Sequence, residues 1–351
     1  MKTLSILFVG QTAPGSRTIQ RINALKSLGY SVDVVPTNPV GSTYEDTPSF
    51  IKRLRYRLRV PKDSVAAGKS ILDKVNNSSY DVLWLERAVE IGPGVLKTVK
   101  KFRPGLRIIW YAEDDMNNSL HRTRQVEASM HLYDLWATTK SFNTLPIEIP
   151  RFGVKNILFV NNSYDETIHR PVQVSQQDKI KYGANVSFVG TYEKYRAQSL
   201  TYLAQQGISV RVWGNGWARV KDKLPGLVIE GRAVYDHEYV KVICASKINL
   251  CFLRKENRDL QTCRSIEIPA CGGFMIHERN DEIISLFPEN KGAVYFSDNE
   301  ELFEQCKKWE LNDRHRNYIA TQGFERVSLG SFSHSKCLVK ILDTALALGV
   351  S

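Results

Sequence analysis

Short apolar runs rich in valine, isoleucine and phenylalanine alternate with helical patterns along the first half of the chain. The run at 4–9 precedes a helical pattern at 16–28, and five further runs follow. After a polar stretch at 161–182 the alternation restarts with the run at 185–190 and a helical pattern at 193–206. Alternating strands and helices are typical of a parallel sheet with crossover helices. The pattern therefore predicts an α/β protein with two domains in tandem.

We place the first domain at 1–165, a linker at 166–182 and the second domain at 183–331. Three helical patterns close the chain, at 298–309, 312–328 and 332–348. The last of them, within about 332–351, could belong to either domain, including by packing back on the first.

Composition narrows the class of protein. The 351 residues exceed one comfortable hydrophobic core, and 42% hydrophobic with 24% charged residues is typical of a soluble globular protein. No run approaches the roughly 20 apolar residues that span a bilayer, and the first run is too short for a signal peptide, so we expect a cytoplasmic protein.

The six cysteines form no C-x-x-C pair, which argues against a metal or disulfide framework. We expect no cofactor and no metal.

The formal net charge of +11 predicts anionic partners, whether nucleotide phosphates, nucleic acid or an acidic membrane surface. Residues 49–62 carry six cations and no acid, with Ile51, Leu54 and Leu58 on one helical face. This segment is either a solvated basic surface element or a helix that contacts an anionic membrane surface or an anionic acceptor. Nucleic acid is the least favoured partner, because the cations are not interleaved with aromatic residues in a recognisable motif.

In the first domain, candidate residues follow two strands. Gly10, Gly15 and Arg17 lie where a strand leads into a helix, an arrangement that favours anions, but the string matches neither a phosphate loop nor a dinucleotide fingerprint. The stretch 110–122 brings Glu113, Asp114 and His121 after another strand. These side chains could bind an acceptor or act as a general base, or the acids could simply decorate a helix N-terminus.

In the second domain, Gly190 ends a strand and Arg196 lies in the next helix, which is either a plain turn or a diphosphate site. Trp213, Gly214 and Asn215 end the following strand, and the tryptophan could flank a nucleobase or pack in the core.

The stretch 249–273 is the most informative. Arg254, Asp259, Arg264 and Glu267 lie in one connection between a strand and a helix that ends in two glycines. Open α/β sheets bind ligands at such connections, where arginine suits phosphate and carboxylates suit sugar hydroxyls. A helix capped by glycine with a surface ion pair is the alternative.

The stretches "VSFVGTYEKYR", "VRVWGNGW" and "CRSIEIPACGGFMIHER" resemble, in this order, the carboxyl-terminal half of CgeB-like glycosyltransferases, a GT-B group related to a large retaining family. The likeness spans residues 131–330. It implies two Rossmann-like domains that face each other across a cleft, with the nucleotide-sugar donor on the second and the acceptor on the first.

The resemblance also assigns roles. It places Gly190 at the donor diphosphate, Arg254 and Arg264 as phosphate partners, and Glu267 at the nucleotide ribose. The retaining family has two acids separated by seven residues, and Asp259 stands in the first position. Leu260 and Thr262 replace glycines that usually follow, which leaves the sugar contact of Asp259 and the stereochemical outcome open, with retention preferred.

The candidate residues form three sets. The catalytic candidates are Asp114, His121 and Asp259. The donor-binding candidates are Gly190, Thr191, Arg196, Trp213, Gly214, Asn215, Tyr235, Arg254, Arg264, Ser265 and Glu267. The acceptor-binding candidates are Gly10, Gly15, Arg17 and Glu113.

These observations predict a metal-independent hexosyltransferase that uses a nucleotide-diphosphate sugar and a glycan or lipid-linked acceptor, in the synthesis of a cell-surface polysaccharide or glycoconjugate. We expect it in the cytoplasm or peripherally at the inner face of the membrane. The alternatives are a nucleotide-sugar epimerase on the same fold and a non-catalytic module that binds or assembles glycans.

Overall fold

Twelve parallel strands form two six-stranded sheets in the computed structural model, which describes residues 3–220 and 224–348. The chain divides into two compact units. The first contains the described residues up to Asn161 and from His334 onward, and the second contains Asn162–Ser333.

The sheet of the first unit has the strand order β2-β1-β3-β4-β5-β6. Its strands are β1 (Ser5–Gly10), β2 (Ser31–Pro36), β3 (Val82–Glu86), β4 (Arg107–Ala112), β5 (Leu135–Thr138) and β6 (Ile157–Phe159).

The sheet of the second unit has the order β12-β11-β10-β7-β8-β9. Its strands are β7 (Ala184–Val189), β8 (Val210–Trp213), β9 (Leu227–Ile229), β10 (Ser246–Cys251), β11 (Met275–Glu278) and β12 (Val294–Phe296).

Thirteen α-helices are described, of which α1 to α5 and α13 belong to the first unit. They are α1 (Arg17–Ser27), α2 (Phe50–Arg57), α3 (Ala67–Asn77), α4 (Pro93–Phe102), α5 (Arg124–Ser129), α6 (Gln176–Tyr182), α7 (Lys194–Gln205), α8 (Asp236–Ala245), α9 (Cys263–Ala270), α10 (Asp281–Leu286), α11 (Asn299–Glu310), α12 (Asp313–Leu329) and α13 (His334–Ala347). Short 3-10 turns add Met130–Leu132, Ser141–Thr144, Ile149–Phe152 and Trp217–Arg219.

The predicted α/β class with two Rossmann-like domains is confirmed. Central strands such as β3 and β4 are buried along their whole length, because helices cover both faces of a parallel sheet. This explains why the sequence shows them as continuous apolar runs. The prediction of a cleft between the domains stays a prediction.

Strand order locates the ligand-binding edge of each sheet. In open α/β sheets the crevice lies at the carboxyl ends of the strands, where the direction of winding reverses. That reversal falls between β1 and β3 in the first unit, and between β7 and β10 in the second.

The segment 166–182, which composition indicated as a linker, is part of the second unit. Its last residues form α6, whose N-terminus is held by a capping box between Ser175 and Asp178. The buried Tyr182 donates its hydroxyl to Glu238 at 2.7 Å. The polar residues of this segment were interpreted as a spacer. In the structure they cap α6 and form the side-chain contacts that hold it against α8.

The closing helix α13 belongs to the first unit. Cys337, Leu338, Ile341 and Leu342 are buried there against the core of that unit.

Candidate functional site

Two glycines meet where β7 and β8 end in the second unit. A Cβ atom on Gly214 would lie 2.0 Å from the main-chain oxygen of Gly190, and Gly214 has a φ of +147°. The Gly190 amide donates to the oxygen of Trp213 at 2.8 Å, and its own oxygen accepts from Trp217 Nε1 at 2.7 Å. Both glycines are therefore needed for the close approach of the two strand ends. They leave main chain, not side chain, at the ligand-binding edge.

Arg264 lies beside this point, in the first turn of α9. Its Nε donates to the main-chain oxygen of Val189, the last residue of β7. The side chain is partly buried, so the guanidinium is held next to Gly190 at the reversal between β7 and β10. Here a permanent cation, the N-terminal end of α9 and a glycine strand end lie together, an arrangement that suits a diphosphate.

Glu193 holds two arginines on the same side of the sheet. Its Oε1 lies 3.1 Å from Arg196 NH1 and 3.4 Å from Arg254 Nε. Arg254 is partly buried, and its side chain is 41% exposed, so solvent weakens its ion pair with Glu193. Arg196, by contrast, is buried, and its NH1 also donates to the Thr191 oxygen at 3.1 Å. The donor-binding role predicted for Arg196 is corrected: the side chain braces the loop after β7.

Asp259 and Glu267 are both buried but differ in their surroundings. Asp259 accepts from the Arg254 amide at 3.3 Å and from Asn257 Nδ2 at 2.7 Å, so its carboxylate organises the loop after β10. Glu267 lies on α9, close enough to the buried Tyr239 to help burial raise the pKa of that phenol. No contact described for Asp259 tests its predicted catalytic role, which stays a prediction.

Two predicted donor residues belong to the interior. Trp213 is fully buried in the core of the second unit, because it is the last residue of a strand covered on both faces. Ser265 is also fully buried. Its Oγ accepts from the Thr262 amide at 2.9 Å and lies 2.8 Å from His277 Nε2. Both roles are corrected: Trp213 packs in the core, and Ser265 caps α9.

The remaining donor candidates lie at the same edge. Thr191 is exposed after β7, and Asn215 is partly buried after β8, where its main-chain oxygen accepts from Tyr192 at 2.9 Å. Tyr235 is the N-cap of α8 and is partly buried.

In the first unit, a buried arginine connects the ends of β3 and β4. Arg21 of α1 forms ion pairs with Glu86, at 2.5 Å, and with Glu113. Burial opposes ionisation of Glu113, but Arg21 and Arg17 outweigh it and lower its pKa to about 2. Burial raises the pKa of Glu86, against the effect of Arg21. A Cβ atom on Gly10 would lie 3.1 Å from the main-chain oxygen of Glu86, so the glycine permits the close approach of the ends of β1 and β3.

Gly15 and Arg17 flank the N-cap of α1. Gly15 has a φ of +73° in the turn that leads to the helix. Arg17 is partly buried and close enough to Glu113 to lower its pKa.

A cavity of about 90 Å³ opens at the same edge. It brings together three of the predicted residues, Glu113, Asp114 and His121, with residues of α2 and of the loop after β3 that the sequence did not indicate. The polar groups of its wall are Gln11, Tyr56, Arg87, Glu113, Asp114 and His121.

Two side chains of this wall have polar groups without a hydrogen-bond partner among the described residues. Arg87 has a left-handed φ of +51°, and within the described residues its guanidinium forms no hydrogen bond and no ion pair. The nearby carboxylate of Asp114 is the main cause that raises the pKa of Arg87. The Nε2 atom of His121 is shut off from solvent and has no hydrogen-bond partner among the described residues. A strained, unpaired cation beside a carboxylate and an unsatisfied imidazole is an arrangement typical of functional sites.

Sequence reasoning missed Arg87, Tyr56 and Glu193. Arg87 follows a buried strand directly, the same signal that selected Glu113, and could have been found in that way. Tyr56 and Glu193 gave no signal, because each is an ordinary residue of a helical pattern that the fold brings to a strand end.

Among the described residues, no group of three or more histidine, cysteine, aspartate or glutamate side chains is arranged to hold a metal ion. No helix of residues 3–220 and 224–348 has the length and apolar content needed to cross a bilayer.

Comparison with known proteins bears on the fold. A family model described as glycosyl transferase-like matches residues 196–343. No curated protein matches. Similar solved structures include sucrose-phosphate synthase from Thermosynechococcus elongatus, with a TM-score of 0.66, 13% identity, and 97% of this chain and 98% of that chain covered.

Two further structures resemble the chain. HepE from Anabaena in complex with UDP-glucose has a TM-score of 0.62 and 12% identity, with 98% of this chain and 100% of that chain covered. A glycosyltransferase from Rickettsia africae has a TM-score of 0.64 and 12% identity, with 98% of each chain covered. At these identities the likeness shows the fold alone, which is the GT-B fold with two Rossmann-like domains. The finer resemblance to CgeB-like proteins stays a prediction.

Proposed function

We propose that this protein is a glycosyltransferase that moves a hexose from a nucleotide-diphosphate sugar to a glycan or lipid-linked acceptor. The observation that carries the proposal is the position of Arg264, held by the Val189 oxygen at the reversal point of the second sheet. Ligands of open α/β sheets bind at this point. The neighbour that was solved with UDP-glucose is consistent with a nucleotide sugar there.

The donor site supplies what cleavage of a glycosyl phosphate requires. Negative charge develops on the departing diphosphate, and fixed cations lower the barrier where that charge appears. Arg264 and the first turn of α9 are fixed in this way. Arg254, at the same edge of the sheet, would add a second cation near this anion. Because these groups carry the charge, we propose that the reaction is independent of metal.

The acceptor site of the proposal is the cavity of the first unit. Asp114 and His121 lie in its wall, and either can accept a proton from an acceptor hydroxyl if the reaction inverts. If the configuration is retained, such a base is dispensable, and we propose retention. Arg87 would then orient the acceptor through its free donors.

The proposal extends to cellular context. We propose a role in the synthesis of a cell-surface polysaccharide or glycoconjugate, in the cytoplasm at the inner face of a membrane, with residues 49–62 on its anionic surface. The basis is the row of cations on α2 and the lipid-linked class of acceptor.

Calorimetry tests the donor site directly. The protein is titrated with nucleoside diphosphates and with their glucose and galactose conjugates, in the presence of a chelator. We expect binding of at least one nucleotide sugar. Binding of none, while an enzyme of known donor binds under the same conditions, would overturn the proposal.

Product analysis separates the alternatives. An epimerase converts the sugar nucleotide to an isomer without acceptor, and a non-catalytic module neither transfers nor hydrolyses it. Slow release of free sugar from the donor in the absence of acceptor is the result we expect. The anomeric configuration of a transferred hexose, followed by NMR, decides between retention and inversion.

A further inference from the structure

Helix α2 projects an apolar surface that the described part of the chain does not cover. All eight of its residues are exposed. Phe50 is 71% exposed and Ile51 65%, and Leu54 and Leu58 are also exposed. A surface helix normally buries such a stripe against its own domain, so this helix is built to contact something else.

The stripe points away from the acceptor cavity. At about 100° per residue, Phe50, Leu54, Leu58 and Ile51 fall within an arc of about 100°, whereas Tyr56 lies about 190° from the middle of that arc. Tyr56 is the helix residue that lines the cavity. One side of α2 is therefore a wall of the acceptor site, and the opposite side is apolar and exposed.

Cations border the apolar stripe. By the same geometry Arg55 lies on one side of it, and Arg53 and Arg57 lie on the other. Within the described residues none of these three side chains forms a hydrogen bond or an ion pair. No aspartate or glutamate occurs from Thr47 to Lys62. An apolar stripe with unpaired cations on both borders matches the acyl and headgroup layers of an anionic bilayer.

The helix is fixed to its domain at its carboxyl end. Arg59 has a left-handed φ of +62°, and its Nε donates to the Arg122 oxygen at 2.8 Å. Its guanidinium also pairs with Glu127, and its main-chain oxygen accepts from the Arg124 amide at 2.8 Å. These contacts fix α2 to the segment that carries His121. They therefore also fix the orientation of the cavity relative to any surface that the stripe contacts.

We infer that α2 docks this protein on an anionic lipid surface, and that the acceptor enters the cavity from that surface as a lipid-linked molecule. Both parts rest on the proposed function, which places residues 49–62 on an anionic membrane surface. They deepen it by naming the apolar stripe of α2 as the docking element and the membrane as the source of the acceptor. A second copy of the chain is disfavoured as the occupant of the stripe, because two such helices face to face would bring together two sets of unpaired arginines.

Vesicle sedimentation tests the docking. The full chain is mixed with vesicles of phosphatidylcholine and phosphatidylglycerol in equal parts, or of phosphatidylcholine alone. We expect binding to the mixed vesicles, at least tenfold weaker binding to the neutral ones, and weaker binding as salt rises. Equal binding to both, or binding to neither, would overturn the docking.

Two pairs of variants separate the stripe from general surface properties. Ile51→Asp with Leu54→Asp removes the apolar contact, and its control is Leu145→Asp with Ile147→Asp, two exposed residues of the same unit. We expect the first pair to lose at least tenfold in vesicle binding and the control to lose less than twofold. Equal losses would contradict the assignment to α2.

The cations have a matched control in α4. Arg53→Glu with Arg55→Glu should weaken vesicle binding about fivefold for each arginine replaced. Lys97→Glu with Lys101→Glu should have a much smaller effect. If instead sedimentation velocity shows a dimer that the Ile51→Asp, Leu54→Asp variant abolishes, while vesicles are not bound, the occupant is a second copy and the proposal fails.

A separate measurement tests whether the acceptor is a lipid-linked molecule. With radiolabelled UDP-glucose and a total membrane lipid extract from the source organism in mixed vesicles, we expect label in the organic phase. The α2 variant should lose this label but keep its calorimetric affinity for UDP. Label only in water-soluble glycans would overturn the lipid-linked acceptor. If no nucleotide sugar binds, the proposed function fails, and the vesicle experiment still decides the docking.

Discussion

Arg264 donates its Nε hydrogen to the main-chain oxygen of Val189, and this contact ties the first turn of α9 to the last residue of β7. The guanidinium is thereby oriented before any ligand arrives, with its terminal nitrogens left to bind an anion. A preorganised cation of this kind costs little conformational entropy on binding.

Arg264→Ala is expected to weaken binding of a nucleoside diphosphate by ten- to a hundredfold, since a hydrogen bond to a charged group contributes about 1.5–3 kcal/mol. Binding of the nucleoside alone should change less than threefold. Calorimetry with both ligands measures the difference.

Arg326→Ala is the matched control for Arg264. Arg326 also lies in the second unit and also donates its Nε to a main-chain oxygen, that of Leu286 at the end of α10. It should leave both affinities unchanged. Equal losses for the diphosphate and the nucleoside in Arg264→Ala would show a structural role only.

Gly214→Ala should destabilise the second unit more than Gly207→Ala. Both glycines have positive φ, at +147° and +86°, but a Cβ atom on Gly214 meets the Gly190 oxygen at 2.0 Å, whereas one on Gly207 meets nothing within 4 Å. The control change costs only backbone strain, about 1 kcal/mol. Gly214→Ala adds displacement of the loop at Gly190, so UDP affinity should fall as well. Urea unfolding and calorimetry on the two variants give the comparison, and equal stabilities would contradict it.

The sequence predicted the fold because each buried strand is a short apolar run between helices. The same pattern located the strand ends, and therefore placed most of the candidate residues at the carboxyl-terminal edge of each sheet. It did not give the direction of individual side chains. Trp213 and Ser265 follow the pattern of a ligand-binding edge, yet both point into the core, and only packing reveals this.

The residues that the sequence did not reveal are brought in by tertiary contacts. Tyr56 reaches the cavity from a helix for which the sequence indicated cations and an apolar face, but no role for this tyrosine. Glu193 became relevant only when the fold placed it between Arg196 and Arg254. The polar segment 166–182 was predicted to be a linker for a related reason. The polar residues that cap a helix and form its side-chain contacts are of the same types as those of a flexible spacer.

Arg87→Met is expected to lower kcat/KM for the acceptor at least tenfold and to leave donor affinity unchanged. Its guanidinium has no partner among the described residues, so the loss reflects ligand contacts and not a broken ion pair. Arg124→Met, an exposed arginine of the same unit, is the control for loss of charge. Unchanged acceptor kinetics in Arg87→Met would remove Arg87 from the acceptor site.

Arg21→Met should destabilise the first unit by about 3–5 kcal/mol, because it leaves Glu86 and Glu113 without their buried cation. The double variant with Glu86→Gln should lose less than the sum of the two single changes, since the pair interacts directly. Hydrogen exchange of amides in β3 and β4 reports the free energy of opening of this unit. Additive losses would show that the ion pair contributes nothing of its own.

Glu90→Gln should stabilise the protein at alkaline pH and have no effect in acid. Burial raises the pKa of Glu90 from 4.5 to about 7, and its Oε2 has no hydrogen-bond partner among the described residues. The folded state therefore holds a proton more tightly than the unfolded state. Its contribution is fully present below about pH 4.5 and is lost as pH rises through 7. The neutral amide avoids this loss, so the gain above pH 7 should approach about 2–3 kcal/mol.

Glu127→Gln provides the opposite case in the same unit. Hydrogen bonds from Arg122 and Arg59 outweigh burial and lower the pKa of Glu127, so its stabilisation is present above its ordinary pKa and is lost in acid. The melting temperatures of both variants and of the unchanged protein are followed from about pH 3 to pH 9. Glu90→Gln should rise above the unchanged protein as pH passes 7, whereas Glu127→Gln should lie below it above pH 4.5 and approach it only in acid. Parallel curves for Glu90→Gln and the unchanged protein would mean that Glu90 is ionised in the folded state throughout this range.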